Sequence, residues 1–468
     1  MSLAQGATQS APGRTSGSSI ASYVWLAVAV AALAIISNGA GEEILRRIAI
    51  LEDTSTAPVL AAIVLFSVCS IASFYATRNT PIPSFVVAIA LGMAGHTLFA
   101  PIVANSTLLA SLVTASAAVI LFGGGLEMPL RCFTRLFVKI ALLAFPGVLI
   151  TGFALSWVIG TTGAVLGFNV PPAVLILLGA ILASTDPAAI IPLLEKVRFK
   201  RRAPKDIVIA ESALNDVVGT LLTSVFLKLS LATVTLVTAY QRLASGETIL
   251  FLERQSGYGV LFGIAGFFLL KLLSRLKRRH PSHYGADQIY FLATPIMAFV
   301  GAALFGGSGF LAAFVAGLLF HSEEHMEGIE HFFLQVIDGV AKPVIFVLVG
   351  ALVDLHALVA YAPIGIIAAL LFMFVLRPTM VFLMLGPYWL IRGNARGLSA
   401  KELLFISFVR ETGAIPAVLL VTAVARVTVP INGLVEIGMW VILLTLILAP
   451  PFTPYFARKL GIADCDLG

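Results

Sequence analysis

Charge is what this chain has least of. Only 12% of its 468 residues are Asp, Glu, Lys or Arg, against about a quarter in soluble domains. With 59% hydrophobic residues and a mean hydropathy of +1.01, that scarcity excludes a soluble globular domain and reads as an integral membrane protein. Cysteine is almost as scarce. Cys69, Cys132 and Cys465 match no metal-ligand spacing and imply no disulfide framework, and no cofactor is expected. No Thr-Val-Gly run is present to build the carbonyl filter of a potassium channel. The Gly-x-Gly-Asp pattern of aspartyl membrane proteases is missing too. Gly306-Gly307-Ser308-Gly309 does match the Gly-x-Ser-Gly of serine membrane proteases, but no histidine at membrane depth stands ready as its base. An intramembrane protease is therefore the remote alternative, and no enzyme is expected. The formal charge of +6 does not point to nucleic acid, because the basic residues cluster in short loops between apolar runs.

What is abundant is apolar length. Segments near 22–38, 57–77, 83–100, 105–123, 136–159, 172–194, 206–227, 257–274, 287–305, 308–320, 332–352, 357–386, 402–425 and 433–457 are candidate spans, about thirteen or fourteen in all. The stretch from Leu229 to Tyr240 is too short to cross and reads as a helical extension or interfacial piece. Residues 1–20, rich in Ser and Gly, read as a disordered cytoplasmic N-terminus. Residues 21–40 read as an extra first helix rather than a cleaved signal peptide, since Asn38 stands where cleavage wants a small side chain. With the N-terminus inside, the runs Arg131/Arg135/Lys139, Lys196 to Lys205, Lys271 to Arg279 and Arg392/Arg396/Lys401 all face the cytoplasm. Arg46, Arg47, Arg242, Arg254 and Arg426 fall outside. Lys228 and Lys342 lie near segment ends and are expected to snorkel. Arg377 and Arg410 lie too deep for that and need partners.

Two apolar segments are interrupted. One holds Ser184-Thr185-Asp186-Pro187, where Pro187 removes a backbone donor; the other holds Arg410-Glu411-Thr412-Gly413-Ala414-Ile415-Pro416, where Gly413 and Pro416 weaken the helix. Interrupted spans at matching places in two halves point to a transporter site. The expected fold is thus an all-α polytopic membrane protein. It has a first inverted repeat at 57–240, a linker helix at 257–275, a second repeat at 287–458 and a short cytoplasmic tail at 459–468, with two broken helices crossing near the midplane. Between the breaks lies Glu211-Ser212-Ala213-Leu214-Asn215-Asp216, two carboxylates inside a membrane-length apolar run. Ionisable groups at that depth mark ion or proton pathways. On a helix Ser212 and Asp216 share one face while Glu211 and Asn215 share a neighbouring one.

These residues resemble the monovalent cation/proton antiporter superfamily, in the branch of NhaP-type sodium/proton antiporters related to the animal sodium/proton exchangers. The family's Thr-Asp-Pro break corresponds to Thr185-Asp186-Pro187 and its Glu-Ser-x-x-Asn-Asp signature to Glu211–Asp216. Its Arg-Pro pair corresponds to Arg377-Pro378 and its Gly-Ser-Gly-Phe-Leu-Ala stretch to Gly307–Ala312. The resemblance implies that Asp216 binds the transported cation or the proton, with Ser212, Asn215, Thr185 and Asp186 around it, and that Glu211 pairs with Arg377. It implies electroneutral exchange, because Asn215 stands where electrogenic relatives carry a second aspartate. It further implies alternating access, a homodimer and a multi-pass place in the cell membrane. Na⁺ or Li⁺ is the expected cargo, with K⁺ as the alternative. Two departures stand out. Gly123 occupies the place of an acid, with Glu127 four residues later at the expected cytoplasmic mouth, and Thr412 stands where an arginine is usual, the basic residue being Arg410.

Overall fold

The computed structural model describes residues 17–51, 57–77, 83–185, 194, 197–229, 231–279, 287–320, 327–396, 398–409 and 411–463. Its regular elements are helices, joined at one place by an isolated antiparallel bridge between Phe199 and Ala463. Seven described helices are long and apolar enough to cross a bilayer, two further pairs qualify as bent spans, and five shorter apolar helices accompany them. Each of the expected apolar segments coincides with one of these. The first helix, Gly17–Leu51, starts inside the stretch expected to be disordered and runs well past residue 40.

Three departures from straight spans have local causes. The segment expected to cross at 83–100 is bent by 87° between Ser84–Ala94 and His96–Ala104. Gly95 ends the first piece, and the His96 ring lies 2.7 Å from the Ala351 carbonyl. After Leu229 the chain leaves the helix and forms a separate short helix, Leu236–Arg242, so that stretch is not a continuous extension of the preceding helix. Three helices widen into π turns at Leu143–Gly147, Ile337–Ala341 and Phe372–Leu376. Each contains or closely precedes a proline: Pro146, Pro343 and Pro378. A helical proline donates no hydrogen bond and crowds the carbonyl four residues back, and a π turn relieves both faults. Where Pro343 displaces the Gly339 carbonyl, the Ser70 hydroxyl donates to it instead.

Close helix crossings fix the frame around the buried acids. A Cβ on Gly92 would collide with the Val347 carbonyl, and one on Gly350 would collide with that of Ile89, so Ser84–Ala94 and Lys342–Ala351 meet backbone to backbone. The same reciprocal contact joins Ser106–Leu126 to Gly309–Leu319, through Gly125 against Phe314 and Gly317 against Phe122. Small residues permit such approaches, which drive helix association in lipid, where apolar burial gives little. Ser308, the serine of the protease-like motif, caps the Gly309–Leu319 helix by accepting from the Leu311 N–H at 3.2 Å. That role accounts for its hydroxyl.

Candidate ion site

The acids lie on the 26-residue helix Ala203–Lys228, buried along most of its length. Two residues near its middle, 216 and 211, have different surroundings. Asp216 is 5% exposed, and its Oδ1 accepts a 2.6 Å hydrogen bond from the Ser184 hydroxyl. Ser184 reaches it because helix Pro172–Leu182 stops just before, leaving Ser184 and Thr185 non-helical. Gly219 makes room: a Cβ there would stand 2.7 Å from the Ser184 Cβ. Asp216 also lines a narrow cleft of about 30 Å³ with Gly123, Gly124, Glu127, Ala213 and Lys342 among its walls. Glu127, at the end of Ser106–Leu126, is exposed, so the cleft leads from the surface to the buried carboxylate. Arg131, which the loop-charge bias assigns to the cytoplasm, lies one turn from that mouth and lines a neighbouring hollow that Glu127 shares.

Glu211, 1% exposed, faces away from this route. Its Oε2 pairs with the Arg377 guanidinium, itself 3% exposed, and its Oε1 accepts from Asn215 Nδ2 at 2.8 Å. Asn215 Nδ2 also approaches the Thr185 hydroxyl at 3.3 Å. Asn215 Oδ1 is buried and has no hydrogen-bond partner among the described residues, which leaves an oxygen for a cation beside the first break. Arg377 follows directly on the π turn Phe372–Leu376.

The second break lies at Val409–Gly413, between helices Ala400–Phe408 and Ala414–Arg426. Pro416 therefore does not interrupt a helix as expected. It sits in the first turn of Ala414–Arg426, where a missing N–H costs nothing. Gly413 is the residue that precedes this helix. Glu411 and Thr412 are buried and non-helical. The Thr412 N–H donates to the Thr445 hydroxyl at 3.1 Å, and the two hydroxyls hydrogen-bond each other. Thr412, where an arginine was expected, thus ties the break to helix Leu434–Lys459.

Of the sequence-selected residues, the fold brings Asp216, Asn215, Thr185, Glu211 and Arg377 into one neighbourhood. Ser212 is buried one turn before Asp216. Asp186, Pro187 and Arg410 lie outside the described residues. Sequence reasoning missed Ser184 as a partner of Asp216, although it adjoins the Thr-Asp-Pro break. Lys342 is 7% exposed and lines the cleft, while its ammonium lies 2.7 Å from the exposed carboxylate of Asp338. Lys228, by contrast, is exposed at its helix end, its ammonium 3.5 Å from the Phe251 ring centroid.

This architecture has relatives. Over 372 residues the chain is 29% identical to a K(+)/H(+) antiporter NhaP of Alkalimonas amylolytica, a match covering 77% of this chain and 59% of that one. It is 28% identical over 257 residues to Na(+)/H(+) antiporter 1 of Methanocaldococcus jannaschii, covering 53% and 55%. The chain thus spans little more than half the length of these curated relatives. The solved structure of the sodium proton antiporter MjNhaP1 from Methanocaldococcus jannaschii at pH 8 superposes with a TM-score of 0.65 at 23% identity, over 86% of this chain and 99% of that one. The fold is shared. The sequence model described as sodium/hydrogen exchanger, transmembrane, matches residues 63–459, a stretch that contains every site residue above, and the chain belongs to that family of multi-pass membrane proteins.

Proposed function

We propose that this protein is a monovalent cation/proton antiporter in which a cation and a proton compete for Asp216 during alternating access. The observation that carries this reading is a carboxylate buried at membrane depth yet reached by a cleft, with a hydroxyl from a helix break hydrogen-bonded to it. A buried carboxylate without compensation favours its protonated form, whereas oxygen ligands and a bound cation favour the charged one. Asp216 alternates between these two neutralised states. Thr185 and the unpaired Asn215 oxygen stand close enough to the break to add ligands, and Ser212 and Asp186 belong to the same set. Glu211, already neutralised by Arg377, holds two helices together and carries no cargo. Asn215 adds no charge, so each cation exchanges for one proton and the cycle is electroneutral. A homodimer forms part of the proposal, tested by the mass of the detergent-solubilised particle.

The cargo ion follows the relatives. The sequence reading put Na⁺ first, but the relative matching the larger share of this chain is a K⁺/H⁺ antiporter, which supports K⁺ as the cation. The M. jannaschii relative supports Na⁺ as the second reading. Both ions take oxygen ligands, and the residues named here serve either. The test is transport in sealed liposomes with K⁺, Na⁺ and Li⁺ compared across pH, with voltage clamped and unclamped. Saturable cation-driven proton flux, largest with K⁺ and indifferent to the clamp, is expected. Conducted current without coupled proton movement would overturn the exchanger, and a sodium-only response would replace the cargo.

A further inference from the structure

The cleft that leads to Asp216 carries two fixed charges of opposite sign on facing walls. Glu127 stands at the exposed end of Ser106–Leu126, and Lys342 projects from the start of Lys342–Ala351. Lys342 is 7% exposed as a residue, and a basic group within a membrane span is costly unless it is paired; its near surroundings show how it is kept. The Asp338 carboxylate, one turn earlier, lies 2.7 Å from Nζ, and the Phe85 ring centroid of the neighbouring helix lies 5.7 Å away. The π turn Ile337–Ala341 immediately before Lys342, induced by Pro343, sets the rotation that turns the side chain inward. Opposite, the place of the family's acid is taken by Gly123, where even a Cβ would collide with Ile337 of that same π turn. Only the tip of the Ile337 side chain stands there, and the charged residues lining this cleft are Glu127, Lys342 and Asp216.

A cation entering this cleft shares its walls with a tethered ammonium whose own partner is Asp338. We propose that Lys342 sets the cation affinity of transport: its ammonium competes electrostatically with the entering cation and, balanced against Glu127, sets the cation concentration at which Asp216 loads. The inference rests on the antiport reading above. A fixed like charge in a narrow, low-dielectric cleft lowers the local cation concentration, and a fixed opposite charge raises it.

The experiment measures KM and maximal rate for K⁺ and Na⁺ in liposomes for five proteins: wild type, Asp216→Asn, Lys342→Gln, Lys342→Arg and Glu127→Gln. Removing the ammonium is expected to lower the cation KM roughly three- to tenfold, from the loss of one like charge across a partly solvated cleft. Glu127→Gln is expected to raise it, and Lys342→Arg to keep the wild-type value. A KM unchanged in Lys342→Gln, or lowered equally in Lys342→Arg, overturns the inference. So does a fall in maximal rate and melting temperature without a KM change, the mark of a purely structural Lys342–Asp338 contact. Lys342→Met, which keeps the aliphatic stem, gives the same reading if Lys342→Gln fails to insert. The Asp216→Asn arm separates the two levels: exchange surviving there removes the antiport reading, whereas a silent Asp216→Asn with unmoved Lys342 variants removes only the role of Lys342.

Discussion

Glu211 and Asp216 are the same kind of group, five residues apart on one helix, and both are at most 5% exposed. Their surroundings give them opposite uses. Glu211 has a guanidinium against one oxygen and an amide donor on the other, so its charge is already answered by protein. Asp216 accepts from a hydroxyl at a broken helix end and lines a cleft. Burial therefore does not distinguish a structural acid from a transporting one. On the proposed reading, the distinguishing feature is the cleft beside Asp216, which Glu211 lacks.

That contrast breaks most sharply at Asp216. Asp216→Asn keeps the shape and the hydrogen bond to Ser184 but cannot exchange a proton for a cation, so coupled flux in liposomes is expected to disappear while the melting temperature holds. On the other side, Arg377→Ala strands the Glu211 charge. Breaking a buried pair on one side costs about 3–5 kcal/mol, so folded yield and melting temperature should fall sharply. Wild-type melting with transport lost would move Glu211 from the structural to the transporting class. Ser184→Ala sharpens the comparison with a smaller effect. Hydrogen bonds to charged groups are worth about 1.5–3 kcal/mol, so weaker cation affinity with a modest fall in melting temperature is the expected result of removing this donor.

The smallest effect lies away from both acids, at Asp354, the N-cap of Leu355–Leu371. Backbone N–H groups of Ala357 and His356 donate to its carboxylate and hold its pKa below the ordinary value of 3.8. A group whose pKa is lowered by folding stabilises the protein above its unfolded pKa, and the benefit is lost as pH falls through the folded value. The melting difference between wild type and Asp354→Ala should thus be present at neutral pH and vanish under strong acid. A difference that persists there would assign the effect to packing.

The all-helical membrane class, the presence of broken helices and the family were legible because hydropathy and a few polar motifs report membrane depth directly. Rotation about a helix axis and bends within it were not. Lys342 read as a residue near a segment end, and nothing in its apolar flank announced that the π turn before Pro343 would aim it inward. The 87° bend at Gly95 was hidden in a run whose composition is uniformly apolar. Pro416 looked like the agent of the second break, yet the chain leaves the helix several residues earlier, and Thr445, 33 residues away, satisfies the freed Thr412 N–H. The Ser184–Asp216 bond depends on Gly219 admitting the broken end, a steric fact that no spacing rule contains.

Cation binding to the purified protein, followed by the protons it releases, tests competition at a single carboxylate most directly. The account predicts that K⁺ or Na⁺ displaces protons from the wild type and none from Asp216→Asn. It also predicts that cation affinity weakens by about tenfold per pH unit once Asp216 is mostly protonated. Cation binding that ignores pH, or that survives unchanged in Asp216→Asn, would contradict it.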